Sequence, residues 1–233
     1  MFAESSEFYD LIYSFKDYAG EAAKIRQLLL SKSPGCQTIL DVACGTGEHH
    51  KYLKNDFLVD GLDLNATFLE AARKKNPAGS YHPGDMMDFQ LSKKYDVLLC
   101  LFSSIGYVKT LENVRSTIRC FARHLNPGGL ILLEPWLTPE NWYKGKLHML
   151  TYDKENIKIC RMNKSETRGN ASHIHFHYLL ATKKHGVRHF EEVHELGLFT
   201  EQEMKNAFEM AGLAVEHEPE GLIGRGLYIG RKK

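Results

Sequence analysis

Between residues 18 and 136, short apolar runs alternate five times with segments of helical periodicity. No other feature of the chain restricts its fold as strongly. "YAGEAAKIRQLLLSK" (18–32) spaces its apolar residues as a helix does and stops at Ser33-Pro34-Gly35. "QTILDVA" (37–43) reads as a buried strand, "EHHKYLK" as a helix and "FLVDGLDL" (57–64) as a second strand. Asn65 is placed to cap "ATFLEAARKK", which closes at Asn76-Pro77. A short strand near Ser80–His82, a buried run over 95–102, a helix from Thr110 to Leu125, a turn at "NPGG" (126–129) and a strand over 130–136 follow. Short strands that are apolar throughout, joined through helices, fit a parallel sheet covered on both faces, an α/β architecture.

Beyond Trp136 the pattern changes. Residues 137–156 look irregular and aromatic, and 157–199 read as two or three antiparallel strands with turns at Arg168-Gly169-Asn170 and His185-Gly186. A capped helix over 200–212, ending in Gly212, and strands near 213–218 and 226–231 complete the chain. The expectation is one domain over 1–233, divided into an N-terminal helical part (1–36), a βαβ core (37–136), an antiparallel insertion (137–199) and a segment completing the core (200–233).

"ILDVACGTGEHH" (39–50) turns from apolar to glycine-dotted at the end of the first strand, where ligands of open parallel sheets bind. A dinucleotide fingerprint needs a third glycine where this chain has His50, and a P-loop needs Gly-Lys-Ser/Thr. Glu48 adds negative charge where a diphosphate would otherwise sit. The loop therefore suits a ligand without phosphate. Asp63, ending the second strand, is placed to accept two ribose hydroxyls. Asp85 suits an exocyclic amine, and Met86 the face of a base.

Thirty basic against 29 acidic residues give a formal charge of +1, without the basic excess that a nucleic-acid substrate favours. The five cysteines are scattered and never spaced as C-x-x-C, which points to a reducing, cytoplasmic setting. "MFAESSEFYD" lacks the basic and apolar regions of a secretory signal, and no run approaches a membrane span, so neither export nor membrane contact is expected.

"LDVACGTG", Asp63, "GDM" and "LNPGGLILLEPW" resemble the motif series of class I S-adenosylmethionine-dependent methyltransferases, over roughly residues 8 to 136. The resemblance implies a Rossmann-like, mostly parallel seven-stranded sheet with helices on both faces and a small antiparallel β insertion. It also implies that Asp41, Ala43, Gly45 and Gly47 hold the methionine part of the cofactor, Asp63 its ribose, Asp85 and Met86 the adenine, and that Leu101 lies beneath it. A closer resemblance covers nearly the whole chain. "EFYDLIY…KDYAGEA", "LFSSIGYVKT", "LLEPWLTPE", "GVRHFEEVHELGLFT" and "GRGLYIG" are similar to the N,N-dimethyltransferases of TDP-linked 3-amino-deoxysugars, enzymes of antibiotic amino-sugar biosynthesis. On that resemblance, segment 1–36 is a lid, 37–136 binds cofactor and 137–199 binds substrate. Between Tyr13 and Lys16 the chain has only Ser14-Phe15, shorter than the family's turn, so the lid is expected to close differently.

The resemblance places Tyr13 beside the acceptor amine as the catalytic tyrosine, against its being the apolar face of a short helix with Tyr9. Tyr18 is a candidate cofactor contact, against an ordinary aromatic at a helix start. Arg161, Arg188 and Arg225 are candidate donors to a diphosphate, which suits arginine's planar fork. Trp136 ends its strand where it would stack on a base or wall the sugar. His124 closes a helix opposite the strand tips, which favours a contact with the helix C-terminus over a role as base. His173, His175 and His177 alternate on one strand face, the outer two roughly 13 Å apart and so unable to chelate one ion, although a neighbouring pair is within reach of one. No metal is expected, and His177 falls nearest the family's substrate-cleft position. The sequence leaves three alternatives: another small amine or hydroxyl as acceptor, a non-catalytic cofactor-binding partner subunit, and a homodimer as well as a monomer.

Overall fold

The computed structural model describes residues 4–233. Seven strands form the main sheet: β1 (Thr38–Val42), β2 (Leu58–Asp63), β3 (Tyr81–Pro83), β4 (Tyr95–Cys100), β5 (Leu125–Leu133), β10 (Leu213–Glu218) and β11 (Leu227–Lys232). Their order is β10-β11-β5-β4-β1-β2-β3. Every pair in it is parallel except those made by β11, which runs against both β5 and β10. The chain moves outward from β1 to β3 and then returns to β4 on the other side of β1. The carboxyl ends of β1 and β4 therefore flank the crevice where such sheets bind ligands.

Both faces of this sheet are buried, as its runs of apolar residues require. Alternate residues of β1, β4 and β5 (Leu40, Leu98 and Ile131) pack with Phe121 of α5 (Leu111–Arg123) and Phe208 of α6 (Glu201–Met210). Their neighbours Ile39, Val97 and Leu130 pack with Ile25 and Leu29 of α2 (Tyr18–Lys32) on the opposite face. Each of these six strand residues is inaccessible to solvent, and truncating such a side chain costs about 2–5 kcal/mol. The Asn65 side chain accepts from the amides of Thr67 and Phe68 and starts α4 (Ala66–Lys75) directly at the tip of β2. Thr200 and Glu203 form a full capping box on α6. No helix among the described residues is long and apolar enough to cross a membrane.

Two short helices lie at the ligand end. α1 (Tyr9–Ile12) follows a 3₁₀ turn, and α3 (His50–Leu53) follows the glycine loop. The four-stranded antiparallel sheet, β6 (Leu147–Lys154), β7 (Ile157–Arg168), β8 (Ala171–Thr182) and β9 (Gly186–Gly197), is ordered β6-β7-β8-β9. Its inner face packs Phe176, Tyr178 and Phe190 around Ile12 of α1, so the insertion leans on the N-terminal segment.

Two sequence expectations change here. β6 lies within the stretch read as irregular, because its side chains are mostly exposed and carry no apolar alternation. "NPGG" is not a turn between elements but part of β5. It forms an irregularity where the pairing with β4 jumps from Tyr95–Leu125 to Val97–Leu130. The expected N-terminal part, 1–36, also includes residues 1–3, which lie outside the described residues.

Candidate active site

The glycine loop leaves β1 with Ala43, Gly45 and Gly47 at φ of 58°, 55° and 70°, in the left-handed region. These reversals turn the backbone back under the strand tip. A Cβ on Gly47 would stand 3.0 Å from that of Ala72 in α4, whereas one on Gly45 would meet nothing within 4 Å. Gly47 therefore closes helix against loop, and Gly45 leaves space. The Asp63 carboxylate spans loop and strand, accepting from the amides of Gly45 and Asn65 at 2.8 Å each. Burial drives its pKa up despite those two bonds.

Two cavities open over this loop and a third lies beside them. One of about 470 Å³ is lined by Asp63, Gly45 and Met86, among others. A second of about 50 Å³ lies over Asp41, Ala43, Leu101 and Tyr18. A third of about 690 Å³ opens between the loop after β4 and the inner face of the antiparallel sheet. Tyr9 and Ser104 line all three, so the spaces adjoin at these two residues.

The largest cavity brings together residues far apart in sequence. Arg161, 5% exposed, donates to the Tyr13 phenol oxygen at 3.0 Å and lies 4.6 Å over the Phe176 ring. Arg225 donates to Ser103 Oγ at 3.0 Å and stands 5.2 Å from the Trp136 ring. Trp136 in turn donates through Nε1 to Ser172 Oγ at 2.9 Å. Phe102 and Ser103 hold φ of 51° and 64°, unusual for residues with side chains, which aims both into the cavity between Tyr13 and Arg225. Glu134, fully buried, accepts the Phe102 amide at 2.7 Å and so supports that turn. Burial raises the Glu134 pKa.

Several residues at the site gave no signal in the sequence. Glu21 is buried between His49, at 2.8 Å, and the Lys16 ammonium. Burial raises the Glu21 pKa, but hydrogen bonds from His49 and Lys16 outweigh it and leave the carboxyl below its ordinary range. Asp41 pairs with His50 at 3.0 Å, and the other nitrogen of His50 meets Tyr81 Oη at 3.0 Å. His194, on β9, lines the largest cavity and meets the Tyr107 hydroxyl at 2.6 Å, and burial lowers its pKa. Such pairs join residues that local periodicity cannot connect.

Other expected residues lie elsewhere. In β8 the residues that face the cavity are Ile174 and Phe176, so His177 points to the opposite face and is half-exposed. Arg188 pairs with Glu4 at 3.4 Å and lines a separate cavity beside Phe8. The Asp85 carboxylate is turned onto the Met87 amide at 2.9 Å, and of that pair only Met86 lines the cavity. Gly47 serves the loop's packing rather than its lining. His124 sits at the amino-terminal end of the parallel strands. Its Nδ1 donates to the Cys120 carbonyl at 2.8 Å, and its Nε2 accepts the Leu91 amide at 3.1 Å.

Comparison with known proteins follows the same division. A family model described as a methyltransferase domain matches residues 39–129. A dTDP-3-amino-3,4,6-trideoxy-alpha-D-glucopyranose N,N-dimethyltransferase of Streptomyces venezuelae is 40% identical over 230 residues, covering 97% of each chain. The crystal structure of Streptomyces venezuelae DesVI superposes over all of both chains, with a TM-score of 0.93 and 38% identity. The S-adenosylmethionine-bound structure of CalS10 is that of an amino pentose methyltransferase from Micromonospora echinaspora involved in calicheamicin biosynthesis. It covers 100% of this chain and 98% of its own, with a TM-score of 0.88 and 30% identity.

Proposed function

Because the chain belongs to the S-adenosylmethionine-dependent sugar N,N-dimethyltransferases, we propose that it methylates the amino group of a TDP-linked 3-amino-deoxysugar, adding two methyl groups in turn. The observation that carries this reading is the adjacency of the cavities at Tyr9 and Ser104. It sets a space walled by a ribose-type carboxylate directly beside one walled by a tyrosine and two arginines.

The residues present fit the cofactor. Asp63 supplies a buried acceptor at the rim of the 470 Å³ cavity, Met86 an apolar contact for adenine, and Gly45 an unobstructed stretch of backbone. Tyr18, Asp41, Ala43 and Leu101 surround the narrow space assigned to the methionine part. When bound, S-adenosylmethionine supplies a methyl group already activated on a sulfonium, so the protein's task is alignment and exclusion of water.

The attacking amine must be neutral and must direct its lone pair at the methyl carbon. Arg161 occupies one side of the Tyr13 oxygen, and the remaining lone pair of that oxygen is free to accept an N–H of the amine. Such a contact leaves the nitrogen lone pair pointing away from the phenol. The amine's surplus proton then passes to solvent, without need of a strong base. Arg225 takes the diphosphate, and Trp136 walls the nucleotide sugar. In this reading residues 1–36 act as a lid: α1 holds Asp10 in an ion pair with Lys75 at 2.5 Å, beside the glycine loop. The scattered thiols support a cytoplasmic enzyme.

Thermal stability measured with S-adenosylhomocysteine, and then with added TDP or ADP, tests the reading. Saturation at 100 times Kd adds about 2.7 kcal/mol, visible as a rise in Tm. Stabilisation by S-adenosylhomocysteine with a further rise from TDP alone is expected. A rise from S-adenosylhomocysteine that TDP does not extend would overturn the nucleotide-sugar assignment.

A further inference from the structure

The outward face of the antiparallel sheet carries a cluster that the methyl-transfer reading does not use. On β8, His175 and His177 stand two residues apart with ring centroids 4.4 Å from one another. On β9, Glu191 lies directly across from His177, and His189 is two residues away from Glu191 on the same face. His175 Nε2 is 2.7 Å from one Glu191 carboxylate oxygen, and His177 Nδ1 is 3.3 Å from the other. His189 Nε2 approaches His177 Nδ1 to 3.4 Å and Glu191 to 3.8 Å. All four side chains are between 41% and 48% exposed, so a hydrated ion can reach them.

We propose that His175, His177, His189 and Glu191 form a site for a divalent transition-metal ion of the zinc type, stapling β8 to β9. Tetrahedral zinc with bonds of 2.0–2.1 Å sets its donors ~3.4 Å apart. Donor atoms of His175, His177 and Glu191 already lie within 4.8 Å of one another, so small side-chain rotations complete the set. Sequence spacing alone excludes one ion held by all three alternating histidines, His173, His175 and His177, and leaves only a neighbouring pair within reach of one. The register changes that by bringing two ligands from the neighbouring strand. Imidazole and carboxylate are borderline and hard donors, which favours zinc, nickel or copper over calcium. Across β7, Met162 faces His177 and Lys164 faces His175; Lys164 is the cation that the ion has to tolerate.

The ion would sit on the opposite face of the sheet from Arg161 and Phe176 and take no part in methyl transfer. Its effect would be structural, fixing the register of the two strands that present Phe176 and His194 to the substrate cavity.

Zinc chloride titrated into the full chain against a chromophoric chelator tests the site. One ion per chain is expected. The double variant His175→Asn/His177→Asn should weaken it at least tenfold, Glu191→Gln should weaken it with the fold retained, and His185→Asn should leave it unchanged. Cobalt in place of zinc should give the intense visible bands of a tetrahedral site in the parent chain and lose them in the double variant. Absence of binding, or binding unaffected by the double variant, would overturn the proposal. Half an equivalent accompanied by doubled mass would overturn it too, in favour of an ion bridging two chains.

Discussion

Arg161 Nη1 donates to the Tyr13 hydroxyl oxygen across 148 positions of sequence and links the insertion to the N-terminal segment. The Tyr13 ring meets Phe102 edge-on at 5.2 Å and Tyr9 at 4.7 Å, contacts that a phenylalanine preserves. Tyr13→Phe should therefore leave the fold intact and remove only the oxygen. A loss of about 10–100-fold in kcat/KM is expected, equivalent to about 1.4–2.7 kcal/mol of transition-state stabilisation. Steady-state methylation of a TDP-linked amino sugar reads it directly. An unchanged kcat/KM would remove Tyr13 from the acceptor site.

The proposed ribose contact of Asp63 predicts that cofactor affinity depends on pH. Burial raises its pKa, so its neutral form stabilises the free protein at acid pH, and that contribution is lost as pH rises through the raised pKa. The ribose hydroxyls need the ionised form as acceptor. The Tm increase produced by S-adenosylhomocysteine should accordingly grow as pH rises through that range and level off above it. Asp63→Asn should weaken binding roughly tenfold or more, the loss of about one charge-assisted hydrogen bond, and flatten the profile. An equally steep profile in the variant would assign the titration to another group.

The sheet, its order of elements and the glycine loop were legible because each rests on local signals: buried apolar runs, Asn65 as a cap, and glycines where φ is positive. What the sequence hid depends on register and tertiary contact. His177 was expected at the cleft, yet faces can be assigned only once the parity of β8 is known, and a one-residue slip exchanges them. Arg188 shares the inner face with Phe190 but lies near Phe8, away from the main cavity. "NPGG" has the composition of a turn, and only its pairing with β4 reveals a strand irregularity. The Glu21–His49 and Tyr107–His194 pairs are contacts across the fold, with no periodic trace.

His124 separates a structural histidine from a catalytic one. Its two ring nitrogens are committed to Cys120 and Leu91, its ring stacks on Phe89 at 4.3 Å, and burial lowers its pKa. A histidine with a depressed folded pKa contributes stability above its unfolded value of about 6.5, and that contribution is lost as pH falls through the folded value. His124→Ala leaves a buried amide and carbonyl unpaired, so a loss of about 2 kcal/mol is expected, or roughly 4–8 °C in Tm. The gap between parent and variant should narrow on acidification, while kcat stays near the parent value. A large fall in kcat with little change in Tm would instead place His124 in the chemistry.

Gly45 and Gly47 should fail in different ways although both hold positive φ. An alanine at either position carries a left-handed backbone cost of about 1–2 kcal/mol. At Gly47 the new Cβ also meets Ala72 at 3.0 Å, so Gly47→Ala should be the less stable of the two without ligand. At Gly45 the Cβ meets no protein atom within 4 Å, and the residue lines both cavities proposed for the cofactor. Gly45→Ala should therefore pay mainly in affinity, with Kd for S-adenosylhomocysteine rising about tenfold, equivalent to ~1.4 kcal/mol. Calorimetric titration of both variants beside their thermal midpoints separates the effects. Equal loss of affinity in the two would mean that loop shape alone, and not the open space at Gly45, governs cofactor binding.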